Sequence, residues 1–396
     1  RFEAEGERRE EKMAVSRAVQ RGCFCVLVCS LIYLVVLIAS SSRVSTVRSL
    51  RLADDVPVRP PRKPVLIYTA TKFFKMDVSN ERFLSVCTSS KDWCTLSDDK
   101  RDLRRADAVL FHNADFDMNY RGPAYKKRNP DIPYVLWSLE SPANDVFRPR
   151  NNFINWTMTY RRDADIWYPY GRMERRTKQI IVDYDKIWRN KNESLPPATW
   201  LASNCYAANG RSVIINRLAD VGLKVDKWGK CGRPPPKCDG VQLQGDQCVI
   251  DLIKPYKFYL AFENSNCRDY VTEKFYETLR SRQAVPIVLH RKTYEDLGIP
   301  SSSFVALSDY ASIAEAVRDI KRIAGDKNAY LEYHKWREQY EVIPEHNDGT
   351  GFCLLCRKLA ERSQMPARER ISSRKSYPSV QDWHSDEMCD NSFTFH

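Results

Sequence analysis

The sequence predicts an α/β protein of two domains that face each other across a cleft, each built on a parallel sheet. A chain of 396 residues has room for two domains of ordinary size. Short apolar runs typical of buried strands alternate with polar or amphipathic segments in both halves of the chain. A charged connection at 174–197, which ends in two prolines, divides the halves. In such folds, ligands bind at the carboxyl ends of the strands.

The first 62 residues predict a membrane anchor and a stem. Residues 22–39 (GCFCVLVCSLIYLVVLIA) carry no charge, and as a helix they would be about 27 Å long, which spans a bilayer. We therefore assign residues 1–21 to a cytoplasmic tail, 22–39 to a transmembrane signal anchor, and 40–62, rich in Ser, Arg and Pro, to a stem. A cleaved signal peptide is the alternative, because Ala39-Ser40-Ser41 supplies small residues. The length of the run favours an anchor.

The remaining sequence divides into a first domain at 63–190 and a second domain at 198–356. Apolar runs predict strands of the first domain at 64–69, 108–112, 133–137 and 154–160. The second domain is expected to contain strands at 199–202, 258–262, 284–289 and 304–307, and helices at 211–221 and 313–323. Residues 357–396 read as a basic, disordered tail. The net charge of +12 lies largely near the two ends, and no nucleic-acid motif accompanies it, so we expect no nucleic-acid partner.

Residues 256–282 combine a buried strand, a polar loop and a helix in one stretch. The strand is followed by 263–267, Asp269 stands where a helix N-cap is expected, and apolar residues then recur at helical spacing. A helix N-terminus beyond a strand favours anions, and Lys274 adds positive charge there. Glu273 can accept hydrogen bonds from sugar hydroxyls, so the stretch suits a nucleotide sugar. The alternative is an ordinary strand–helix unit with solvated charges.

The segment FYLAFENSNCRDYVTEKFYETL resembles the donor-binding signature of the α1,3-fucosyltransferase family. The resemblance extends over roughly residues 64 to 360. It implies a GT-B-like architecture of two Rossmann-type domains. It also implies a single-pass type II protein of the Golgi membrane with a lumenal catalytic domain.

The resemblance also implies roles for individual residues. Glu140, in VLWSLESP, matches the family's E-S-P motif and is implied to be the general base. Arg211, which follows SNCYAANG, and Lys274 are expected to stabilise the departing diphosphate. The donor-binding candidates are Arg211, Tyr256, Asn264, Tyr270, Glu273 and Lys274. Glu140 could instead bond within its own loop, Arg211 could be solvated, and the tyrosines could equally be core residues.

Two Asp-x-Asp patterns, Asp115-Phe-Asp117 and Asp163-Ala-Asp165, have the form that metal-dependent glycosyltransferases use. The pattern is weak, and Arg211 and Lys274 can perform the same electrostatic role. We therefore expect no required cofactor and no metal site, and leave stimulation by Mn²⁺ open.

Ten of the 13 cysteines lie outside the apolar run, an even number that suits disulfides in an oxidising compartment. The disulfide candidates are Cys87, Cys94, Cys231, Cys238, Cys353 and Cys356. Cys231 and Cys238 are expected to pair, whereas Cys353 and Cys356 either reach back to Cys87 and Cys94 or close locally. Asn155 and Asn192 begin glycosylation acceptor triplets.

The predicted function is transfer of L-fucose from GDP-fucose, in α1,3 linkage and with inversion, to a GlcNAc of a protein-linked N-glycan, in the core or the antenna. The partners are then GDP-fucose, the glycoprotein acceptor and the membrane. One alternative is another nucleotide-sugar transferase of the same fold. The other is a membrane-anchored, glycan-binding pseudoenzyme, against which the joint presence of Glu140, Arg211, Glu273 and Lys274 argues.

Overall fold

The computed structural model describes residues 60–116, 120–145, 149–236, 238, 244–344 and 350–395. The predicted tail, anchor and most of the stem lie outside these residues. Within the described ranges, no helix is both long and apolar enough to cross a bilayer.

The first sheet has six parallel strands in the order β2-β1-β3-β4-β5-β6. Its strands are β1 (Val65–Thr69), β2 (Cys94–Ser97), β3 (Ala108–His112), β4 (Tyr134–Ser138), β5 (Trp156–Thr159) and β6 (Ile166–Trp167). Every residue of β3 and β4 is buried, because these central strands are covered on both faces. This order is that of a doubly wound sheet, with its switch point between β1 and β3.

The second sheet has five parallel strands in the order β12-β11-β10-β8-β9. Its strands are β8 (Ala198–Leu201), β9 (Val225–Trp228), β10 (Phe258–Leu260), β11 (Val285–Val288) and β12 (Val305–Ala306). A separate antiparallel pair joins β7 (Arg172–Arg175) to β13 (Tyr340–Ile343). The two doubly wound sheets confirm the prediction of an α/β protein with parallel sheets.

Helices connect the strands of both sheets. Within the described ranges the α-helices are α1 (Asn80–Phe83), α2 (Pro123–Lys126), α3 (Tyr184–Arg189), α4 (Arg211–Asp220), α5 (Gln247–Ile253), α6 (Glu273–Glu277), α7 (Arg291–Glu295), α8 (Ile313–Gly325), α9 (Lys327–Glu332), α10 (Thr350–Gln364), α11 (Ala367–Ser372) and α12 (Val380–Trp383). A π-helical turn, Thr278–Arg282, extends α6.

The N-cap of α6 is Thr272, whose side chain accepts from the backbone N–H of Lys274. The expectation of Asp269 as N-cap is therefore wrong. Asp269 lies in the left-handed region, with φ of 62°, and binds Arg162 instead.

Helix α10 packs on the first sheet, although residues up to 356 were assigned to the second domain. Disulfides Cys87–Cys353 and Cys94–Cys356 attach it there, so these cysteines reach back rather than close locally. The expected disordered tail from 357 onward is also wrong for its described residues. They form the end of α10, then α11 and α12, and bury Leu359, Tyr377 and Val380.

The remaining disulfides among the described residues are Cys205–Cys231, Cys238–Cys248 and Cys267–Cys389. The predicted pair of Cys231 with Cys238 is therefore wrong. Cys205 follows β8 and Cys231 follows β9, and these parallel neighbours end at the same edge of the sheet. Sheet topology thus brings together two cysteines that are 26 residues apart in sequence.

The two glycosylation triplets lie in different surroundings. Asn192 is exposed, and its side-chain oxygen accepts from the N–H of Ser194, 2.9 Å away. Asn155 is half-buried, and its Nδ2 donates to the carbonyl of Lys375 at 2.7 Å. Asn192 is therefore the more accessible of the two.

Candidate active site

Two loops at the carboxyl ends of the sheets meet between the domains. Residues 139–145 follow β4 of the first sheet, and residues 261–272 follow β10 of the second. The Ser141 hydroxyl donates to the Ser265 hydroxyl at 3.0 Å, and both side chains are buried. The rings of Tyr160 and Tyr270 pack across the same junction with centroids 4.9 Å apart. These contacts hold the two loops together where doubly wound sheets place ligands.

Glu140 lies two residues beyond β4 and is half-buried in this junction. Its Oε2 accepts a hydrogen bond from Nδ2 of Asn144 at 3.2 Å, and Asn264 donates to the same carboxylate from the other domain. Burial raises the pKa of the Glu140 carboxyl above its ordinary value, and although the positive charge of Lys274 lowers it, the net shift is upward. A desolvated carboxylate of this kind is more basic than one in water.

Lys274 lies in the first turn of α6 and is surrounded by acceptors. Its Nζ donates to Thr272 Oγ1 at 2.9 Å and lies 3.2 Å from Glu273 Oε1 and 3.3 Å from Glu263 Oε2. Burial lowers the pKa of the Lys274 ammonium. The carboxylates of Glu273 and Glu263 together raise it by more than burial lowers it, so the pKa lies above its ordinary value. Lys274 is therefore a stable positive charge at the junction.

Glu263 is a further site residue that sequence reasoning placed only in a polar loop. It is buried and accepts from the backbone N–H of Thr272 at 2.8 Å and from its hydroxyl at 2.7 Å. Burial raises the pKa of its carboxyl, and Lys274 offsets part of this rise. Its position directly after the apolar strand was the available signal, because an acidic residue there is buried unless the chain turns outward.

Arg211 begins α4, after Gly210 in the left-handed conformation with φ of 62°. Its buried guanidinium donates to the carbonyl of Phe262 at 2.8 Å and to that of Asn204 at 3.0 Å. Nε of Arg211 has no hydrogen-bond partner within the described structure. Burial lowers the pKa of Arg211, and the negative charge of Glu263 opposes that change. Arg211 thus fixes the loop after β10 and keeps one N–H donor uncommitted.

The remaining donor-binding candidates divide into those at the junction and one elsewhere. Asn264, Tyr270 and Glu273 lie with Glu140 and Lys274, and the pKa of Tyr270 is raised by burial and then by the charges of Glu140 and Glu263. Tyr270 is buried like a core residue. Tyr256 precedes β10, and its hydroxyl donates to Asp226 Oδ2 at 2.6 Å. It therefore lies at the amino end of β10, away from the junction.

The acidic pairs bind other parts of the chain. Asp163 lies 2.6 Å from Arg161 and 3.3 Å from Arg268. Asp165 accepts from the Tyr377 hydroxyl at 2.7 Å. Asp115 accepts from the backbone N–H of Phe74 at 2.7 Å, and Asp117 lies outside the described residues. In the part of the chain that the structure describes, no group of three or more His, Cys, Asp or Glu side chains is arranged to hold a metal ion.

Comparison with known proteins identifies the family. The model for "Glycosyltransferase family 10 (fucosyltransferase) C-term" matches residues 188–383, and that for "Fucosyltransferase, N-terminal" matches residues 61–171. Alpha-(1,3)-fucosyltransferase fut-6 of Caenorhabditis elegans is 46% identical over 335 residues, which cover 83% of this chain and 82% of the relative.

Two further relatives are also named as fucosyltransferases. Alpha-(1,3)-fucosyltransferase fut-5 of Caenorhabditis elegans is 36% identical over 329 residues, which cover 83% of this chain and 85% of the relative. Glycoprotein 3-alpha-L-fucosyltransferase A of Drosophila melanogaster is 29% identical over 322 residues, which cover 81% of this chain and 60% of the relative. The chain therefore belongs to glycosyltransferase family 10, and it is an α1,3-fucosyltransferase.

Proposed function

We propose that this enzyme transfers L-fucose from GDP-fucose, with inversion, to a GlcNAc hydroxyl of a protein-linked N-glycan. The observation that carries the proposal is the meeting of Glu140 from the first domain with Lys274 from the second at one junction. Their charges interact closely enough that Lys274 lowers the pKa of Glu140. A proton acceptor and a cation at a domain junction are what a displacement between two bound substrates requires.

The reaction is a single displacement at C1 of fucose. The acceptor oxygen attacks C1 from the face opposite the diphosphate, the bond between C1 and the phosphate oxygen breaks, and the hydroxyl proton passes to Glu140. GDP leaves with the electron pair of the broken bond. The raised pKa of Glu140 supports this role, because a base is more effective when its pKa approaches the working pH.

Lys274 and Arg211 stabilise the negative charge that develops on the departing GDP. Lys274 is held as a cation by Glu263 and Glu273, and Arg211 keeps its Nε donor uncommitted. Asn264 lies beside Glu140 and Glu273 lies beside Lys274, and both are assigned to donor contacts. Arranged as two Rossmann-type domains with the donor on the second, the enzyme follows the GT-B plan.

The acceptor is assigned to a glycoprotein glycan. The name of the Drosophila relative, Glycoprotein 3-alpha-L-fucosyltransferase A, supports this class of acceptor. Between the two positions, the cysteine in ENSNCRDY and the loop between Cys231 and Cys238 favour the N-glycan core, because they resemble invertebrate members of the family.

The cellular setting is proposed to be the Golgi membrane, with residues 22–39 as a type II anchor and the catalytic domains in the lumen. An oxidising lumen supports the disulfides that join described cysteines. The exposed Asn192 is the preferred glycosylation site.

Purified full-length enzyme, incubated with GDP-fucose and a panel of core and antennal N-glycans, tests the proposal. Mass spectrometry is expected to show one added fucose on a core GlcNAc, and NMR to show an α-linked product from the β-linked donor. Fucose on galactose, or a product that keeps the donor's β configuration, would contradict the assignment of acceptor or of inversion respectively.

A further inference from the structure

Residues 376–395, here called the C-terminal strap, cross both loops of the candidate active site. The strap begins against the first sheet, where Tyr377 and Val380 are buried. It continues through a turn at Asp386–Met388 that lies beside the turn at Pro142–Asn144. It ends with Phe393 packed against the ring of His290 in the second domain.

We propose that the C-terminal strap positions the catalytic loops, with His384 holding the Glu140 loop and Cys389 holding the loop after β10. The role of His384 rests on the proposed function, because it acts through the general base. Both residues are positioning residues, because each acts through a loop that it holds: His384 through Asp145 and Cys389 through Cys267.

His384 controls the end of the Glu140 loop through Asp145. The imidazole side chain is fully buried, and its Nδ1 lies 2.5 Å from Asp145 Oδ2, so the ring N–H donates to the carboxylate. The other nitrogen, Nε2, lies 3.4 Å from the hydroxyl of Tyr160. Asp145 is adjacent in sequence to Asn144, whose side chain donates to Glu140 at 3.2 Å. The position of Glu140 therefore depends on His384 through two residues.

A second contact shows that Asp145 is fixed from both sides. Nδ2 of Asn113 donates to the other carboxylate oxygen of Asp145 and, at 3.0 Å, to the hydroxyl of Ser138 at the end of β4. Asn113 is buried, as is Asp145 in its side chain. Loss of the His384 N–H leaves a buried carboxylate with one partner fewer, which favours movement of the loop toward water.

Cys389 fixes the loop after β10 in the same way. Its disulfide to Cys267 is flanked by backbone hydrogen bonds on each side. Arg268 N–H donates to the Met388 carbonyl at 2.9 Å, and Asp390 N–H donates to the Asn266 carbonyl at 2.9 Å. This short antiparallel pairing lies in the segment between Glu263 and Lys274. The strap therefore holds the two loops in one spatial relation.

A general structural role would give a different result from a positioning role. A strap that only stabilises the fold would lower the melting temperature and leave the turnover of each folded molecule unchanged. A positioning strap lowers kcat in folded enzyme, because a misplacement of about 1 Å at a reacting group costs on the order of 10²-fold. The KM for GDP-fucose should stay constant in His384 variants, since Cys389 still holds the loop after β10.

Full-length His384→Phe, His384→Asn and His384→Gln test the proposal, with Val380→Ala as the matched control. Phe keeps the ring and removes both nitrogens, Asn can place an amide N–H near the Nδ1 position, and Gln reaches only toward Nε2. We expect kcat to fall on the order of 10²-fold for Phe and Gln, and to return to within about tenfold of wild type for Asn. Val380→Ala, a buried strap change in a side chain that packs in the core of the first sheet, should lower the melting temperature alone.

Three outcomes would overturn the proposal for His384: normal kcat in folded Phe or Gln variants, equal losses for Asn and Gln, or an equal loss of kcat in Val380→Ala. If the Phe variant does not fold, the comparison of Asn with Gln decides. For Cys389, Cys389→Ser should raise the KM for GDP-fucose at least several-fold in folded enzyme, and an unchanged KM would remove Cys389 from the proposal.

A double variant separates this inference from the proposed function. If His384 acts through Glu140, Glu140→Gln combined with His384→Phe should be no slower than Glu140→Gln alone. Additive losses would overturn the positioning role of His384. High activity of the single variant Glu140→Gln would instead overturn the assignment of Glu140 as general base. The kcat comparison among the His384 variants would then decide the positioning role separately.

Discussion

At the residue scale, Glu140 carries the clearest functional prediction. Glu140→Gln keeps the shape and the hydrogen bond from Asn144 but cannot accept a proton. Because general-base catalysis contributes about 10²–10⁴-fold, transfer should fall by that factor while GDP-fucose still binds. Transfer rate, donor affinity and melting temperature measured on one preparation check this. Glu361→Gln on α10, an exposed carboxylate paired with Arg357, is the control. A folded Glu140→Gln enzyme with more than about a tenth of normal transfer would remove Glu140 as base.

Lys274 should bind the diphosphate. Lys274→Ala is expected to weaken GDP binding by about 1.5–3 kcal/mol, the range for hydrogen bonds to charged groups, which is roughly 10- to 150-fold in affinity. It should also lower the melting temperature, because Glu263 loses its buried counter-ion. Calorimetry with GDP measures the effect, with the exposed Lys292→Ala as control. Unchanged GDP affinity in a folded variant would place Lys274 outside the donor site.

The pKa of Glu140 gives a prediction of pH dependence. The base acts as a carboxylate, so kcat/KM should rise with pH through the pKa of Glu140 in the free enzyme. Burial raises that pKa, so the midpoint should lie above the ordinary value of about 4.3. Lys274→Met removes the positive charge that lowers the pKa, and the midpoint should move to higher pH. A midpoint that does not move, or one that persists in Glu140→Gln, would assign the titration to another group.

The sequence could predict which candidate residues would be neighbours only where they lie beyond strands. The structure brings Glu140, Asn264, Glu273 and Lys274 together because the segments that carry them follow β4 and β10, and the carboxyl ends of parallel strands lie at one edge of each sheet. Tyr256 lies apart from them, at the amino end of β10. The sequence did not indicate this, because an aromatic residue before a strand has the same pattern whether it faces a ligand or the core. His384 gave no signal, since its partner Asp145 is distant in sequence.

At the element scale, burial separates the strands that the sequence predicted from those it did not. The predicted strands include the central β3, β4, β10 and β11, whose residues are all buried and almost all apolar. The strands that were missed from the two parallel sheets, β2, β6 and β9, lie at sheet edges. β2 and β9 contain polar residues and are partly exposed, and β6 has only two residues, so no apolar run marks these three strands.

Helix α10 is expected to depend on its two disulfides. Cys94→Ala with Cys356→Ala removes the second link between α10 and the first sheet, which joins residues 262 apart. Such a bridge typically contributes about 2–5 kcal/mol, so the free energy of unfolding should fall by that amount. Urea unfolding of the oxidised enzyme measures this free energy, and wild type with its disulfides reduced gives the lower limit of stability. Equal midpoints for oxidised variant and wild type would show that packing alone holds α10.

At the scale of the whole molecule, the fold was predictable and the connection of its ends was not. Alternating strands and helices predict two parallel sheets, because each crossover must return over a face of the sheet. The return of α10 to the first sheet depends on the disulfides of Cys353 and Cys356, and the end of the chain is joined to the loop after β10 by the disulfide Cys267–Cys389. A basic segment without an apolar run therefore appeared disordered, whereas long-range covalent contacts order it.

Charge across the whole junction leads to a final prediction, that transfer continues in EDTA at a substantial level. The cations needed for the diphosphate are supplied by Lys274 and Arg211, and a bound metal would duplicate their role. The described carboxylates of the Asp-x-Asp patterns already accept from arginine, tyrosine or backbone N–H groups, which a metal would have to displace. Activity assays with and without EDTA, then with added Mn²⁺, measure the dependence. Complete loss on chelation, restored by Mn²⁺ and abolished again by Asp163→Asn, would instead make that pair a metal site, and the electrostatic role of Lys274 and Arg211 would need revision.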